Sequence, residues 1–205
     1  TEPMMVIPLD RHPPGFAEQV DHPPMNAAVP KPAATAVLVR AGDDAPELLL
    51  LKRHRSAGFV PGAYVFPGGR VDAADGDPAL AAMLGATPRG ADAAYWLAAV
   101  REVFEETGVL LARTDAGESR RDAAADPELG RWREALLSNE ATLLDVLHAA
   151  RVRPDVSRMV YCSHWITPVA EPKRYDTRFF LAAMPDDCAV TIDEREMSHA
   201  VWLTA

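Results

Sequence analysis

Residues 101–109 read REVFEETGV, and this stretch decides how the whole chain is interpreted. Glu102, Glu105 and Glu106 are spaced i, i+3 and i+4, so a helix would present them within an arc of about 100° on one face. The opposite face would carry the apolar residues Trp96, Leu97, Val100, Val103 and Phe104. Clustered carboxylates suit hard divalent cations, which prefer oxygen ligands. The pattern predicts a half-buried helix that binds metal, with an ordinary amphipathic surface helix as the alternative.

A second informative segment lies upstream, at residues 66–75, and reads FPGGRVDAAD. Its paired glycines permit positive φ and close backbone approach, so that a carbonyl or amide there can face a ligand. Together the two segments resemble the signature of the Nudix hydrolases, Gly-x5-Glu-x7-Arg-Glu-U-x-Glu-Glu-x-Gly-U, where U is aliphatic. Gly69 matches the opening glycine, and residues 101–109 match the closing nine positions without a mismatch.

Two features depart from that signature. Asp75 stands where the signature has glutamate, and we expect a structural part for this shorter side chain. Between Asp75 and Arg101 lie 25 residues where the signature has 7, so 18 residues are inserted, and we place the insertion within residues 76–94. Turn residues flank a short predicted helix at 79–84 within it. Since closure entropy grows only logarithmically with loop length, the two halves of the site can still meet.

The interruption is similar to that of one branch of the family, the peroxisomal coenzyme A diphosphatases and their bacterial relatives. Residues 58–69, 165–168 and 174–181 also resemble that branch, and the resemblance extends from about residue 33 to the end of the chain. A coenzyme A recognition box usually precedes the signature in this activity class. Residues 62–69 agree with the box, whereas Gly58 stands where the box has arginine. ADP-ribose, dinucleotides and NADH therefore remain alternative substrates to coenzyme A and its acyl esters.

The resemblance implies an α/β fold, an α/β/α sandwich on a mixed sheet, over residues 33–205. It also implies metal-dependent hydrolysis of a diphosphate linkage in a nucleoside diphosphate joined to another group, or, as a different class, a non-catalytic nucleotide-binding regulator. Glu102, Glu105, Glu106 and the Gly68 carbonyl would hold Mg²⁺ or Mn²⁺. Glu105 would also be catalytic, and Arg101 would orient or neutralise a glutamate.

Further site residues are expected from loop position and charge. Some family members take a general base from a late loop, which makes Glu194 and Glu196 candidates; a solvated charged turn is the alternative. The net charge of −9 would repel an anionic substrate unless cations neutralise it locally. Arg53, Arg55 and Arg70 are therefore predicted to bind substrate, with a solvated strand end as the alternative for residues 52–55.

Composition narrows the class of protein. The chain of 205 residues is 48% hydrophobic and 25% charged, which is typical of one globular domain. The acidic balance argues against a nucleic-acid partner, and no apolar run approaches the length that a membrane helix needs. With only Cys162 and Cys188 and no signal-peptide pattern, we expect reduced thiols in a cytoplasmic protein that acts on a small-molecule nucleotide.

The chain is organised as follows. Eight prolines in residues 1–32 predict an extended arm. The acidic helix is predicted at 92–107, with Gly108 after its end, and residues 113–126 are predicted to be exposed. Helices begun by Asp126 and by Asn139 form an elaboration at 126–150, expected to cap the cleft or to make a homodimer contact. Strands are predicted at 33–40, 47–53, 63–66, 109–112, 159–167, 174–184 and 200–203.

Overall fold

The computed structural model describes residues 27–55, 62–86, 88–117 and 122–204. Most of the predicted proline-rich arm, residues 1–26, lies outside these ranges, as does Gly58 of the recognition box. In the described ranges, no helix combines the length and the apolar character needed to cross a membrane.

The described part of the chain contains nine strands and four α-helices. The strands are β1 Lys31–Arg40, β2 Glu47–Arg53, β3 Tyr64–Val65, β4 Gly68–Arg70, β5 Ala112–Arg113, β6 Arg153–Pro154, β7 Met159–Ile166, β8 Tyr175–Ala183 and β9 Met197–Thr204. The helices are α1 Pro78–Ala82, α2 Ala93–Thr107, α3 Pro127–Leu137 and α4 Leu143–Ala150. β1 begins two residues before the predicted start, so Lys31 and Pro32 belong to the sheet and not to the arm.

Seven of these strands form one mixed sheet, which confirms the predicted α/β class. The strand order is β3-β2-β1-β8-β7, while β4 pairs with β1 and β9 pairs with β2. β1 and β8 run parallel over nine residue pairs, and every other pairing described is antiparallel. β5 and β6 form a separate two-stranded sheet, so the predicted strand at 109–112 is wrong except at Ala112. Residues 109–112 are nevertheless buried, as predicted.

Helix α2 packs against the centre of the mixed sheet. Ala34, Ala36 and Leu38 alternate along β1 and are fully buried in the same core as the apolar face of α2. Because alternate side chains of a strand share a face, these small residues let the helix approach closely. On β8, the ring of Phe180 lies 4.5 Å from that of Trp96. The predicted helix is thus confirmed to within one residue.

The insertion does not separate the two halves of the signature. Asp77 accepts a hydrogen bond from the Ala79 amide at 2.7 Å and begins α1, with Pro78 as its first residue. Leu80 of this short helix is buried in the core. The predicted helix in the insertion is therefore present, but it begins and ends earlier than residues 79–84.

The helical elaboration agrees with the sequence in α3 and differs in α4. Asp126 accepts hydrogen bonds from the Glu128 and Leu129 amides, as expected for the residue that caps α3. α4 does not begin at Asn139, because Thr142 and Asp145 form a reciprocal capping box at its start. Asn139 instead has φ 59° in the connecting turn, a conformation that asparagine tolerates well.

Residues 113–126 are not uniformly exposed, contrary to the prediction. Asp122 is 1% exposed and accepts hydrogen bonds from the amides of Ala124, Ala125 and Ala189. A buried carboxylate that binds three amides is well satisfied. It ties this stretch to the segment that follows β8.

The end of α2 provides a test of the fold. Gly108 has φ 72°, and a Cβ there would lie 2.3 Å from Thr191 Oγ1, whereas Gly85 has φ 74° and open space around it. We expect Gly108→Ala to lower the free energy of unfolding by about 2–4 kcal/mol, from backbone strain and crowding together. Gly85→Ala should cost only about 1–2 kcal/mol, from the backbone alone. Urea denaturation measures the free energy of unfolding of both variants. Equal losses would contradict the close approach of residue 108 to Thr191.

Candidate functional site

The two halves of the signature meet where β4 packs against α2. The Gly68 amide donates a hydrogen bond to Glu106 Oε2 at 3.1 Å. A Cβ on Gly69 would lie 2.4 Å from Glu102 Oε1, so only glycine allows this approach. Gly68 and Gly69 lie in a strand, and neither has the positive φ that the sequence suggested. The glycines therefore serve close packing, and not a turn.

A cavity of about 410 Å³ opens at this junction. Its walls come from α2, from β4 and from the first residues of β1 and β8. Charged residues dominate one side, and Tyr175 and Thr177 of β8 contribute to the other. The charged lining residues are Arg53, Arg70, Asp72, Arg101, Glu102, Glu105, Glu106 and Glu196.

A larger cavity, of about 800 Å³, lies at the far end of β1 and β8. Val39, Leu181 and Trp202 contribute to its walls. None of the residues that the sequence singles out for chemistry lines it. The smaller, acid-lined cavity is therefore the candidate functional site.

Arg101 connects the acidic helix to the segment before the insertion. Its guanidinium forms a bidentate pair with Asp75, at 2.9 Å from Nε to Oδ1 and 3.0 Å from Nη2 to Oδ2. Nη2 also donates to the Arg70 carbonyl at 2.7 Å, and Asp75 accepts from the Asp72 amide. Asp75 and Arg101 are 1% and 6% exposed. Asp75 thus has a structural position, consistent with its short side chain.

The same guanidinium also contacts two glutamates. Arg101 Nη1 lies 2.9 Å from Glu102 Oε1 and 3.1 Å from Glu105 Oε2. Burial disfavours the charged form of Arg101, but the hydrogen bond to Asp75 and the surrounding carboxylates raise its pKa above the ordinary value. Arg101 therefore stays cationic and is shared among three carboxylates.

Nearby positive charge does not fully compensate Glu102, Glu105 and Glu106. Burial raises the pKa of Glu102 to about 7, although Arg101 opposes the shift. Burial and the nearby charge of Glu102 raise the pKa of Glu106 well above its ordinary value, against the Gly68 amide and Arg53. The pKa of Glu105 is also raised, mainly by burial. An additional cation in the cavity would offset this repulsion.

The donor set fits a hard divalent cation, although the carboxylates do not form a preassembled cage. In the ranges described, no three His, Cys, Asp or Glu side chains converge as a metal site. The reason is that Arg101 lies between Glu102 and Glu105, while Glu106 faces the Gly68 amide. Three carboxylates on one cavity wall nevertheless supply the oxygen ligands that Mg²⁺ and Mn²⁺ prefer.

The structure brings some of the other predicted residues to the cavity. Arg53 and Arg70 line it, whereas Arg55 is not among the lining residues. Arg53 Nε is buried and has no hydrogen-bond partner among the described residues, and Nη2 lies 3.3 Å from Glu196 Oε2. Glu196 lines the cavity, while the side chain of Glu194 borders a different hollow beside α3.

The helical elaboration lies away from the cavity opening. No described lining residue comes from residues 126–150, so the predicted cap over the cleft is not observed. Instead, Arg133 of α3 donates hydrogen bonds to the Glu105 carbonyl. Sequence reasoning missed this residue, but a signal existed: Arg133 occupies an i+4 position between buried Leu129 and Leu136. A charged residue in an apolar stripe indicates a specific buried partner.

Comparison with known proteins defines the family. A model described as the NUDIX domain matches residues 29–136, and one described as the NUDT19 Nudix domain matches residues 83–205. The chain therefore belongs to the Nudix family, and the predicted resemblance is confirmed. A crystal structure of a NUDIX hydrolase from Alicyclobacillus acidocaldarius has a TM-score of 0.68 and 27% identity, covering 86% of this chain and 80% of that chain.

Within the family, two similar curated proteins have the same printed name. Acyl-coenzyme A diphosphatase NUDT19 from Gallus gallus is 30% identical over 76% of this chain and 53% of its own length. The protein of that name from Homo sapiens is 31% identical over 76% of this chain and 52% of its own length. The chain thus spans about half the length of the curated relatives it matches.

The contact between Gly69 and Glu102 is tested by a double-mutant cycle. Gly69→Ala should lower the free energy of unfolding by about 1–3 kcal/mol, because the new methyl group displaces the carboxylate. In a Glu102→Ala background the same change should cost at least about 1 kcal/mol less. Gly76→Ala, where the methyl group meets open space, is the control and should stay within about 0.5 kcal/mol. An equal cost of Gly69→Ala in both backgrounds would rule out the contact.

The raised pKa of Glu102 predicts a pH dependence for the metal-free protein. An acid whose pKa rises on folding favours the folded state while it is protonated, and this stabilisation is lost as pH rises from about 4.5 to about 7. Glu102→Gln removes that titration. As pH rises from about 4.5 to about 7, the variant should therefore become more stable relative to the unsubstituted protein. Thermal unfolding with a chelator present measures this difference. If the melting temperatures of the two proteins change in parallel with pH, the raised pKa of Glu102 is refuted.

Proposed function

We propose that this protein is a metal-dependent diphosphatase that cleaves the diphosphate linkage of a nucleoside diphosphate joined to another group. Coenzyme A or an acyl-coenzyme A is the preferred substrate. The observation that carries the proposal is the contact of Gly68 and Gly69 with Glu106 and Glu102 across the insertion. The printed names of the curated relatives support the substrate class.

The acidic face of α2 is the metal-binding element in this proposal. Glu102, Glu105 and Glu106 hold Mg²⁺ or Mn²⁺, and Arg101 keeps the first two side chains in place while Asp75 anchors Arg101. The bound ion supplies charge neutralisation on the diphosphate and polarises its oxygens. The Gly68 amide, which donates to Glu106, fixes that side chain. That the Gly68 carbonyl also binds the metal ion stays a prediction.

Two arginines suit the anionic substrate. Arg53 Nε is a buried donor without a partner among the described residues, and Arg70 lies exposed on the cavity wall. A phosphate oxygen is a suitable acceptor for a guanidinium. These two residues therefore bind the diphosphate, whereas substrate binding by Arg55, which does not line the cavity, stays a prediction.

Glu105 and Glu196 are the candidate general bases. The base removes a proton from a water whose oxygen attacks one phosphorus, and the bridging oxygen leaves with the other phosphate. Glu105 lines the cavity from α2, and burial raises its pKa above the ordinary value. Glu196 lies in the cavity beside Arg53. Glu194 is a weaker candidate, since its side chain borders a different hollow.

The proposal is tested by product analysis. Purified protein is incubated with Mg²⁺ or Mn²⁺ and with coenzyme A, an acyl-coenzyme A, ADP-ribose, a dinucleotide or NADH. Mass spectrometry should detect adenosine 3′,5′-bisphosphate and a phosphopantetheine from coenzyme A, with the highest kcat/KM for the coenzyme A substrates. Turnover that survives complete chelation would overturn the metal assignment, and preference for ADP-ribose would overturn the substrate.

Isosteric substitutions test the assigned glutamates. Glu105→Gln and Glu106→Gln should each lower kcat by about 10²–10⁴-fold, because each removes a charged ligand or base while preserving shape. Glu140→Gln, at an exposed position between α3 and α4, should leave kcat unchanged. Steady-state kinetics measures kcat, and thermal unfolding checks that each variant is folded. Unchanged kcat in both site variants contradicts the mechanism, and tight nucleotide binding without turnover in the unsubstituted protein indicates a regulator.

A further inference from the structure

The last turn of α2 receives hydrogen bonds from outside the helix. The final carbonyls of a helix have no partner within it. Here the Thr107 carbonyl accepts from the Thr191 amide at 2.8 Å, and the Glu106 carbonyl accepts from the Asp193 amide at 3.3 Å. The Glu105 carbonyl accepts from Arg133 Nε at 3.0 Å and Nη2 at 2.7 Å. The backbone beneath two metal-binding glutamates is thus held by other segments.

Arg133 binds one of those segments as well. Its Nη2 donates to the Thr191 carbonyl at 2.8 Å, and its Nη1 donates to Thr191 Oγ1 at 3.2 Å. The side chain is 7% exposed, so these bonds form away from water. A guanidinium presents donors in a fixed planar fork, and a cation at a helix C-terminus is also favourable. One rigid group therefore joins the end of α2 to residue 191.

The segment that Arg133 fixes leads directly to the cavity. The Asp193 carbonyl accepts from the Glu196 and Met197 amides, which forms a compact turn before β9. The Glu196 carbonyl accepts from the His54 amide at 3.0 Å. Glu196 then lines the cavity together with Glu105 and Glu106. The separation of Glu196 from the acidic helix depends on the contacts at residues 191–193.

We propose that Arg133 is a positioning residue, through which the helical elaboration sets the geometry between the glutamates of α2 and Glu196. This inference rests on the proposed function. It gives residues 126–150 a part in activity although none of them lines the cavity in the described structure. Arg133 acts on the site through backbone and touches no substrate.

The experiment compares Arg133→Lys and Arg133→Met with Thr142→Ala. Lysine keeps the charge but loses the fork, and methionine removes both. Thr142 caps α4 in the same helical pair, and the hydrogen bonds described for its side chain are with Asp145 alone. Its loss therefore weakens the pair without touching α2. Each variant is measured for melting temperature, for kcat and KM with coenzyme A, and for Mn²⁺ affinity by calorimetry.

We expect Arg133→Met to lower kcat about 10- to 100-fold with KM changed less than about 3-fold, and to weaken Mn²⁺ binding about 10-fold. Arg133→Lys should give intermediate values, and Thr142→Ala should lower only the melting temperature. Arg133 would be merely structural if its variants lost no more kcat or Mn²⁺ affinity than Thr142→Ala. If Arg133→Met does not fold, Arg133→Lys carries the comparison. If the unsubstituted protein has no turnover, the proposed function fails, while Mn²⁺ affinity still tests the positioning.

Discussion

The buried ion pair between Arg101 and Asp75 is the constraint on which the site depends. It spans the insertion and brings the guanidinium against Glu102 and Glu105. Removing one partner of a buried pair leaves an uncompensated charge, which typically costs about 3–5 kcal/mol. The chain therefore cannot move the segment before the insertion away from α2 without a large loss of stability. The two ends of the insertion are therefore held together.

Electrostatics explains why such a site would need a cation. Asp75, Glu102 and Glu105 surround Arg101, and Glu106 lines the same cavity. Burial disfavours the ionised forms of the three glutamates. The net charge of −9 adds a repulsive field for an anionic substrate. A divalent ion would offset two of these negative charges, so the same ion would stabilise the glutamates and weaken the repulsion of the diphosphate. The clustered carboxylates therefore destabilise the folded protein without metal, and a bound cation would relieve that destabilisation.

The sequence predicts what local patterns determine. The helix that ends at Gly108 and the cap at Asp126 follow from periodicity and capping residues, and both agree with the structure. The prediction that Asn139 begins a helix is wrong, because the capping box that starts three residues later, at Thr142, is the stronger signal. The distinction between Glu194 and Glu196, and the contact of Arg133, depend on how distant segments pack. A short-range pattern can indicate that Arg133 has a buried partner, but it does not identify the segment that provides this partner.

Anomalous diffraction at the manganese edge, from crystals grown with Mn²⁺ and a non-hydrolysable coenzyme A analogue, tests the central claim most directly. We expect a peak bonded to carboxylate oxygens of Glu102, Glu105 and Glu106, with the diphosphate beside Arg53. A peak elsewhere on the chain, or a diphosphate bound with no manganese next to the acidic helix, would contradict it.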